Sequence, residues 1–344
     1  MKKLLGVIIG ITVVVIGIFA FGGHEQTETE STSSKEVTSS EELPKVGLLQ
    51  LTSHPSLDTI TEGIIDSLAE NGFVDGETMT LDFQNAQGDQ SNLSQMSTKF
   101  VSDNSDVMIG IATPAGQALA NASSDIPIIL GAVTDPENVG IVESNEKPGG
   151  NVTGVSDMTP VEDQIDLIRQ ILPEASTLGI MYSSSEDNAA IQAQMAEEIA
   201  PEYGFEPVVS TVTSTNDVSQ IGQQLVSEVD AIWVPNDNVI ASAFPTLLQQ
   251  ADNAGIPIFP AVDVMVQQGG LATLGLNQYE LGVMTGNMTA EVLRGEIEPA
   301  TEKIRQGTET DLIVNFEKAE QLGIEIPEDL ATEATAAKSL EEGE

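Results

Sequence analysis

The sequence predicts an α/β protein of two lobes, each a parallel sheet flanked by helices, joined by a hinge of several strands. Three observations predict it. Short apolar strands alternate with amphipathic helices from Lys45 onward, the pattern of βα units. The order of these units recurs once along the chain, which is the mark of a duplicated α/β unit. Between the halves lies Gly149-Gly150-Asn151-Val152-Thr153-Gly154-Val155-Ser156-Asp157, a short β-prone piece flanked by glycines that suits a crossing between lobes.

In the first half, Val46–Leu51 reads as a buried strand, followed by the loop Thr52-Ser53-His54-Pro55-Ser56. A helix is expected from about Leu57 to Asn71, with Ile60, Ile64, Ile65 and Leu68 on one face and Gly72 as its stop. Thr78–Gln84 is the next strand and Asn92–Asp103 the next helix. Val107–Ala112 then feeds Thr113-Pro114, where Thr suits the N-cap and Pro the first helical position. A strand entering a helix in this way offers the positive end of the helix dipole at the sheet edge, a seat for a carboxylate. Pro127–Val133 is the following strand, ending in Thr134-Asp135-Pro136.

The second half repeats this order. Leu178–Tyr182 matches the first strand, and Gly72-Phe73 recurs as Gly204-Phe205. Asp106-Val-Met-Ile recurs as Asp230-Ala-Ile-Trp, and Asp125-Ile-Pro-Ile-Ile as Gly255-Ile-Pro-Ile-Phe. Gly270–Gln278 is expected to cross back, Tyr279–Arg294 to form a helix and Asp311–Phe316 a further strand.

At the amino end, Lys2 and Lys3 precede the apolar run Leu4–Phe21, an export segment that is either cleaved near Ala20-Phe21-Gly22 or kept as a membrane anchor. The Ser/Thr/Glu-rich stretch after it reads as a disordered tether. The expected division is 1–22 export segment, 23–44 tether, 45–154 with about 277–310 as first lobe, 155–276 with about 311–330 as second lobe, and 331–344 as a frayed acidic tail.

Composition narrows the function. With 12 Lys+Arg against 54 Asp+Glu the formal charge is −42, a surface that repels nucleic acid and anionic lipid. No nucleic-acid partner is expected, and the membrane is met only through the amino-terminal segment. Cysteine is absent and histidine numbers 2, so thiolate metal sites, a Cys nucleophile, a lipidated Cys and a His-rich metal site are excluded. No cofactor or metal is expected, and no GxSxG, HExxH, P-loop or GxGxxG motif is present.

Ligands of open α/β sheets lie beyond the carboxyl ends of the strands. Those ends supply Ser53, His54, Pro55, Thr113, Pro114, Thr134 and Asp135 in the first half. Ser184, Asn188, Asn236, Asp237 and Asp263 come from the second half, and the crossing adds Ser156 and Asp157. Hydroxyls and a helix start on one side suit a carboxylate, while Asp237 or Asp263 on the other suits an ammonium, so a zwitterion fits. Two other readings stand beside this: each Asp can instead cap the helix that follows it, and His54 can orient or pack its loop. An Asp187/Asp237 acid–base pair would make the chain a hydrolase, but carboxylates are too abundant here for such a pair to be informative.

Several stretches carry a family resemblance: Ser53-His54-Pro55-Ser56-Leu57-Asp58, Ile111-Ala112-Thr113-Pro114-Ala115, Ala132-Val133-Thr134-Asp135-Pro136, Gly150–Asp157 and Pro235-Asn236-Asp237-Asn238. In this order, from Lys45 to about Leu330, they resemble the substrate-binding proteins of ABC importers, more specifically those of tryptophan/tyrosine type. The resemblance implies a type I periplasmic-binding-protein fold, two Rossmann-like lobes that close on an aromatic amino acid. It also implies a non-enzymatic, monomeric protein outside the cytoplasm that serves an ABC permease and its ATPase. An aromatic ring has few partners to rest on beyond Pro55, Pro114, Met158, Tyr182 and Trp233, so a branched aliphatic amino acid, another solute, a hydrolase or deaminase on the same fold, and a sensor role stay open.

Overall fold

The computed structural model describes residues 42–307 and 310–337, so the export segment, most of the tether and the end of the acidic tail lie outside the described residues. The first half builds β1 (Lys45–Gln50), α1 (Pro55–Glu70), β2 (Thr80–Asn85), α2 (Gln90–Ser102), β3 (Val107–Ile111), α3 (Thr113–Ala122), β4 (Ile128–Gly131) and β5 (Val152–Ser156). The second builds α4 (Val161–Ile171), β6 (Thr177–Ser183), α5 (Asp187–Ile199), β7 (Glu206–Val212), α6 (Val218–Leu225) and β8 (Ala231–Val234). It continues with α7 (Asn238–Ser242), α8 (Phe244–Ala254), β9 (Ile258–Pro260), α9 (Asp263–Gln267) and β10 (Ala272–Leu276). The chain then forms α10 (Gln278–Leu293), β11 (Arg305–Gln306), β12 (Thr310–Val314), α11 (Phe316–Leu322), α12 (Glu328–Glu333) and β13 (Thr335–Ala336).

The first sheet has the order β11-β5-β4-β3-β1-β2 and all of its pairings are parallel. The second, β7-β6-β8-β9, is also parallel and keeps the same relative order as β2-β1-β3-β4. The duplication reaches single side chains. Asp106, just before β3, accepts from the Lys45 backbone N–H at 2.7 Å, and Asp230, just before β8, accepts from the Ser176 and Thr177 N–H groups at 2.7 and 2.9 Å. Each carboxylate thereby fixes where the central strand of its sheet begins. Those backbone donors hold the Asp230 carboxyl down at about 2.

Three passages join the sheets. After β5, which belongs to the first sheet, Asp157–Pro160 leads to α4. From β10 the chain returns into α10, and between β11 and β12 it passes to the second side again. The expected crossing at 149–157 is therefore mostly a strand of the first sheet. The carboxyl end of that strand hands the chain over. β12 pairs antiparallel with β10 in a separate three-stranded sheet, because β10 runs toward the hinge and β12 runs away from it. Leu271 N–H donates to the Ile258 carbonyl at 2.7 Å, attaching that sheet to β9. Ala331–Glu333 complete α12 and Thr335–Ala336 pair with β12, so the fold continues past Leu330 into the stretch expected to fray.

Each sheet is packed on both faces, hence its near-continuous apolar strands. In α1 the buried stripe is Leu57, Ile60, Ile64 and Leu68, while Ile65 stands 38% exposed, a residue's turn beyond the stripe. α10 lies against this helix through small residues. A Cβ on Gly282 would stand 2.2 Å from the Ile60 carbonyl oxygen, and one on Gly63 2.3 Å from that of Tyr279. Among the described residues no helix is long and apolar enough to cross a membrane. Because α10 docks on α1 through this contact, Gly282→Ala should destabilise the protein by about 1–3 kcal/mol in urea denaturation. An unchanged midpoint would show that the two helices are free to separate.

Candidate functional site

The carboxyl ends of both parallel sheets face each other, and the lobes touch across the cleft. On the first side, β1 runs into a loop braced by Asp58, which accepts from Gln50 Nε2 at 2.7 Å and from the exposed Ser53 hydroxyl at 2.8 Å. His54 occupies the N-cap position of α1 with no side-chain cap, ahead of Pro55, so its ring is free to reach across the cleft. It is buried, with Nε2 3.1 Å from Asn238 Oδ1 of the opposite lobe. Burial lowers its pKa below the ordinary value, with the Asn238 contact and Asp58 opposing.

Thr113 is expected to be the N-cap of α3, but that position belongs to Ala112, at φ 74 and ψ 155. This backbone region is close to glycine-only and costs on the order of 1–3 kcal/mol. Ala132, two residues before Thr134, also has positive φ, at 54. Both strained alanines end a strand and are followed by a candidate hydroxyl. Thr113 is buried as the first residue of α3, ahead of the buried Pro114, and Gln117 on the same helix donates to Asp187 of the facing lobe at 3.0 Å. Asp135 is turned inward on its own loop, accepting from the Asn138 backbone N–H at 3.2 Å and from its side chain, so it acts as a turn brace.

At the crossing, the Ser156 hydroxyl donates to the Thr134 carbonyl at 2.7 Å, tying β5 to the end of β4. Asp157 is buried. Its Oδ2 accepts from Asn236 Nδ2 at 2.5 Å, and burial raises its carboxyl pKa against the lowering influence of Thr134 and Asn236.

In the second lobe Asp237 caps α7. Its Oδ1 accepts from Ile240 N–H at 2.8 Å and its Oδ2 from Ser183 N–H at 2.5 Å. Both oxygens are engaged by backbone N–H groups, the capping arrangement that the sequence also allows for this Asp. Asp263 begins α9, accepts from Val264 N–H at 2.7 Å and lies near Asp311 of β12, beside the three-stranded sheet. Ser184 is exposed and donates to the Val212 carbonyl at 3.3 Å. Asn188 is buried and donates to the Asn236 carbonyl at 2.8 Å. Glu186 was not among the residues expected from sequence. It is buried beside Asn188 and accepts from Asn238 Nδ2 at 2.6 Å and Val239 N–H at 3.1 Å. It lies within the loop Ser183–Asn188, but one more Glu among 54 acidic residues carries no mark in the sequence. The Asp187/Asp237 acid–base pair does not form: Asp187 is exposed and holds Gln117. Trp233 is core, bonded through Nε1 to Gln164 at 3.1 Å, and Tyr182 packs against the same core.

Among the described residues, five buried side-chain atoms have no protein hydrogen-bond partner, and four belong to this cleft: His54 Nδ1, Thr113 Oγ1, Asp157 Oδ1 and Asn188 Oδ1. Buried polar atoms are paired as a rule, so this cluster is the candidate site. Asp157 and Asn188 both bond Asn236, which places their open acceptors on one side of the cleft. A cavity of about 270 Å³ lies between the lobes, walled by Leu51, Thr52 and Pro114 from the first and by Glu186, Thr213 and Asn238 from the second.

Residues 45–338 match the family described as ABC transporter substrate binding protein. The chain belongs to the ABC transporter substrate-binding proteins. It is 35% identical to the tyrosine-binding protein of Clostridioides difficile (strain R20291), over 94% of this chain and 93% of that one. A Streptococcus pneumoniae ABC domain solved in complex with L-Trp is 43% identical, with a TM-score of 0.83 over 86% of this chain and 99% of that one. A Clostridium difficile substrate-binding protein in its ligand-free, open structure is 38% identical over 86% of this chain and 100% of that one, with a TM-score of 0.67. The arrangement of lobes therefore resembles the ligand-bound relative more than the open one, in keeping with the contacts between His54 and Asn238 and between Gln117 and Asp187.

In this substrate-binding protein the closed cleft holds carboxylates out of water, and that has a pH signature. Burial, reinforced by Glu186, pushes Asp237 up to about 8 from 3.8, so the folded state keeps a proton that the unfolded chain has released. Raising the pH through this range removes the proton and weakens the fold. Near the ordinary histidine value of 6.5 the unfolded chain is partly protonated at His54 while the folded ring is less so, which opposes the slope there and fades toward pH 8. Urea denaturation between pH 6.5 and 8 should show stability falling by about 1 kcal/mol per pH unit. The slope should shrink in Asp237→Asn, and a flat profile in the wild type would contradict the buried proton.

Proposed function

We propose that this chain captures a free aromatic amino acid, tryptophan or tyrosine, between its lobes and delivers it to an ABC permease and its ATPase. It would do so as a monomer, outside the cytoplasm and held or exported by Leu4–Phe21. The cluster of unpartnered polar atoms in the cleft is the observation that supports this reading most directly. Asp157 Oδ1 and Asn188 Oδ1 are acceptors suited to an ammonium, and Thr113 Oγ1 at the positive end of α3 is a donor suited to a carboxylate. The ammonium contact moves from Asp237 or Asp263 to Asp157, because Asp157 keeps one oxygen open in the cleft. The names of the similar proteins, one bound to L-Trp and one called tyrosine-binding, support an aromatic side chain. Pro55 and Pro114 offer apolar surface for the ring.

Closure would follow from a ligand that touches both lobes, since only the closed state offers both sets of contacts. A thermal-shift panel of amino acids should single out tryptophan and tyrosine, because a ligand at a hundred times its Kd stabilises by ~2.7 kcal/mol. In titration calorimetry with L-tryptophan, Asp157→Ala should cost on the order of 2–5 kcal/mol of binding free energy. Thr113→Ala should cost about 1 kcal/mol. N-acetyl-tryptophan, which has no ammonium, should bind the wild type weakly. Normal binding by Asp157→Ala would sink the polarity assignment, and turnover of any of these compounds would sink the non-enzymatic reading.

A further inference from the structure

His54, Asn238 and Glu186 form a row of buried side chains whose hydrogens can be assigned from the network alone. Both Glu186 oxygens receive backbone donors: Oε2 accepts from Asn238 N–H at 3.2 Å and Oε1 from Val239 N–H at 3.1 Å. Oε2, already an acceptor for the Asn238 N–H, also lies 2.6 Å from Asn238 Nδ2, so the amide nitrogen of Asn238 faces it even though burial raises the Glu186 pKa. That leaves Asn238 Oδ1 pointing at His54, 3.1 Å from Nε2. An amide oxygen only accepts, so Nε2 carries the imidazole proton. The ring is neutral at ordinary pH, burial having lowered its pKa, with Asp58 as the charged group opposing. Nδ1 is therefore a bare lone pair, buried and without a protein partner.

What that lone pair meets follows from its place on the sheet. His54 follows β1 and Asp157 follows β5, with β3 and β4 between them. Three strand spacings separate the two backbones by about 14 Å. Asn236 and Asn238, their respective partners, are two residues apart, at most about 7 Å. The two side chains thus meet the same loop two residues apart, a span that one amino acid can bridge with its ammonium on Asp157 and the far end of a long side chain toward His54 Nδ1. Asn238 and Glu186, which hold the ring, line the cavity of about 270 Å³, whereas His54 itself does not.

We propose that His54 Nδ1 accepts a hydrogen bond from a donor on the ligand's side chain, the indole N–H of tryptophan or the phenol O–H of tyrosine, and thereby disfavours phenylalanine. Asn238 and Glu186 are positioning residues that fix the imidazole tautomer. This rests on the amino-acid reading given under Proposed function.

Titration calorimetry with two matched pairs tests it: L-tryptophan against L-3-benzothienylalanine, in which sulfur replaces the indole N–H, and L-tyrosine against L-phenylalanine. In the wild type each donor-bearing member should bind about tenfold or more tightly than its partner. His54→Leu should bring both ratios close to one, and Glu186→Gln, which frees Asn238 to turn over, should narrow them. In Asp157→Asn the preference should persist even though overall affinity drops. Its disappearance there would give the His54 contact to the ammonium and overturn the proposal. Nitrogen-15 NMR of the wild type should show the His54 ring protonated at Nε2 and bare at Nδ1. The opposite tautomer overturns the proposal whether or not the variants fold. Equal affinities within both pairs would remove the role of His54 while leaving the amino-acid reading intact. Failure of all four compounds to bind would remove both.

Discussion

The structure depends on keeping carboxylates satisfied where two lobes exclude water. An ionised carboxylate taken into the interior without partners is costly, and 12 Lys+Arg cannot serve 54 acidic residues. The cleft offsets this with backbone and amide donors and, at Asp237, by keeping the carboxyl protonated. Asp237 takes two backbone N–H groups, Glu186 takes two more and the Asn238 amide, and Asp157 takes the Asn236 amide. Only Asp157 is left incompletely served, together with Asn188 and His54 on the same network. The cleft therefore has a polarity that a partner rich in donors would complete.

The same accounting explains how much could be read from the sequence. The alternation of strands and helices expresses local chemistry, and the recurrence of Asp106 as Asp230 marks the repeated unit, so both halves of the fold follow from them. The antiparallel pairing of β10 with β12 depends on chain direction through the hinge, which no local pattern encodes. Among the candidate residues, His54, Thr113, Asp157 and Asn188 present open atoms in the cleft, while Ser53 and Ser184 are exposed and Asp135, Asp237 and Asp263 brace their own turns. Strand-end position alone does not separate these groups. Whether an Asp faces a ligand or a backbone N–H is decided by the conformation of the three or four residues after it. Glu186 escaped notice for the related reason that its partners, Asn238 and Val239, lie on a different loop.

The strain at Ala112 has a place in this arrangement. A left-handed turn at the end of β3 rotates the chain so that α3 starts at once, and Thr113 enters the cleft on its first turn. Ala112 is held there by its N–H to the Gly131 carbonyl at 3.0 Å, while its own carbonyl accepts from Ala115 and Gly116 at 3.1 Å each. Ala132, directly after the neighbouring β4, has the same sign of φ, so two adjacent strand ends are followed by strained alanines. Neighbouring hydrogen bonds hold this local cost in place, as at other strained positions beside binding sites.

Trp233 has a further consequence. The chain has a single tryptophan, and it is fully buried in the second lobe, where its indole donates to Gln164. Gln164 in turn holds the carbonyls of Ala261 and Leu274, one at the end of β9 and one in β10. The tryptophan fluorescence of this protein, excited selectively, is thus a spectroscopic gauge of one lobe. It reports the integrity of the second sheet and its junction with the hinge strands, and the first lobe unfolds in its spectral dark.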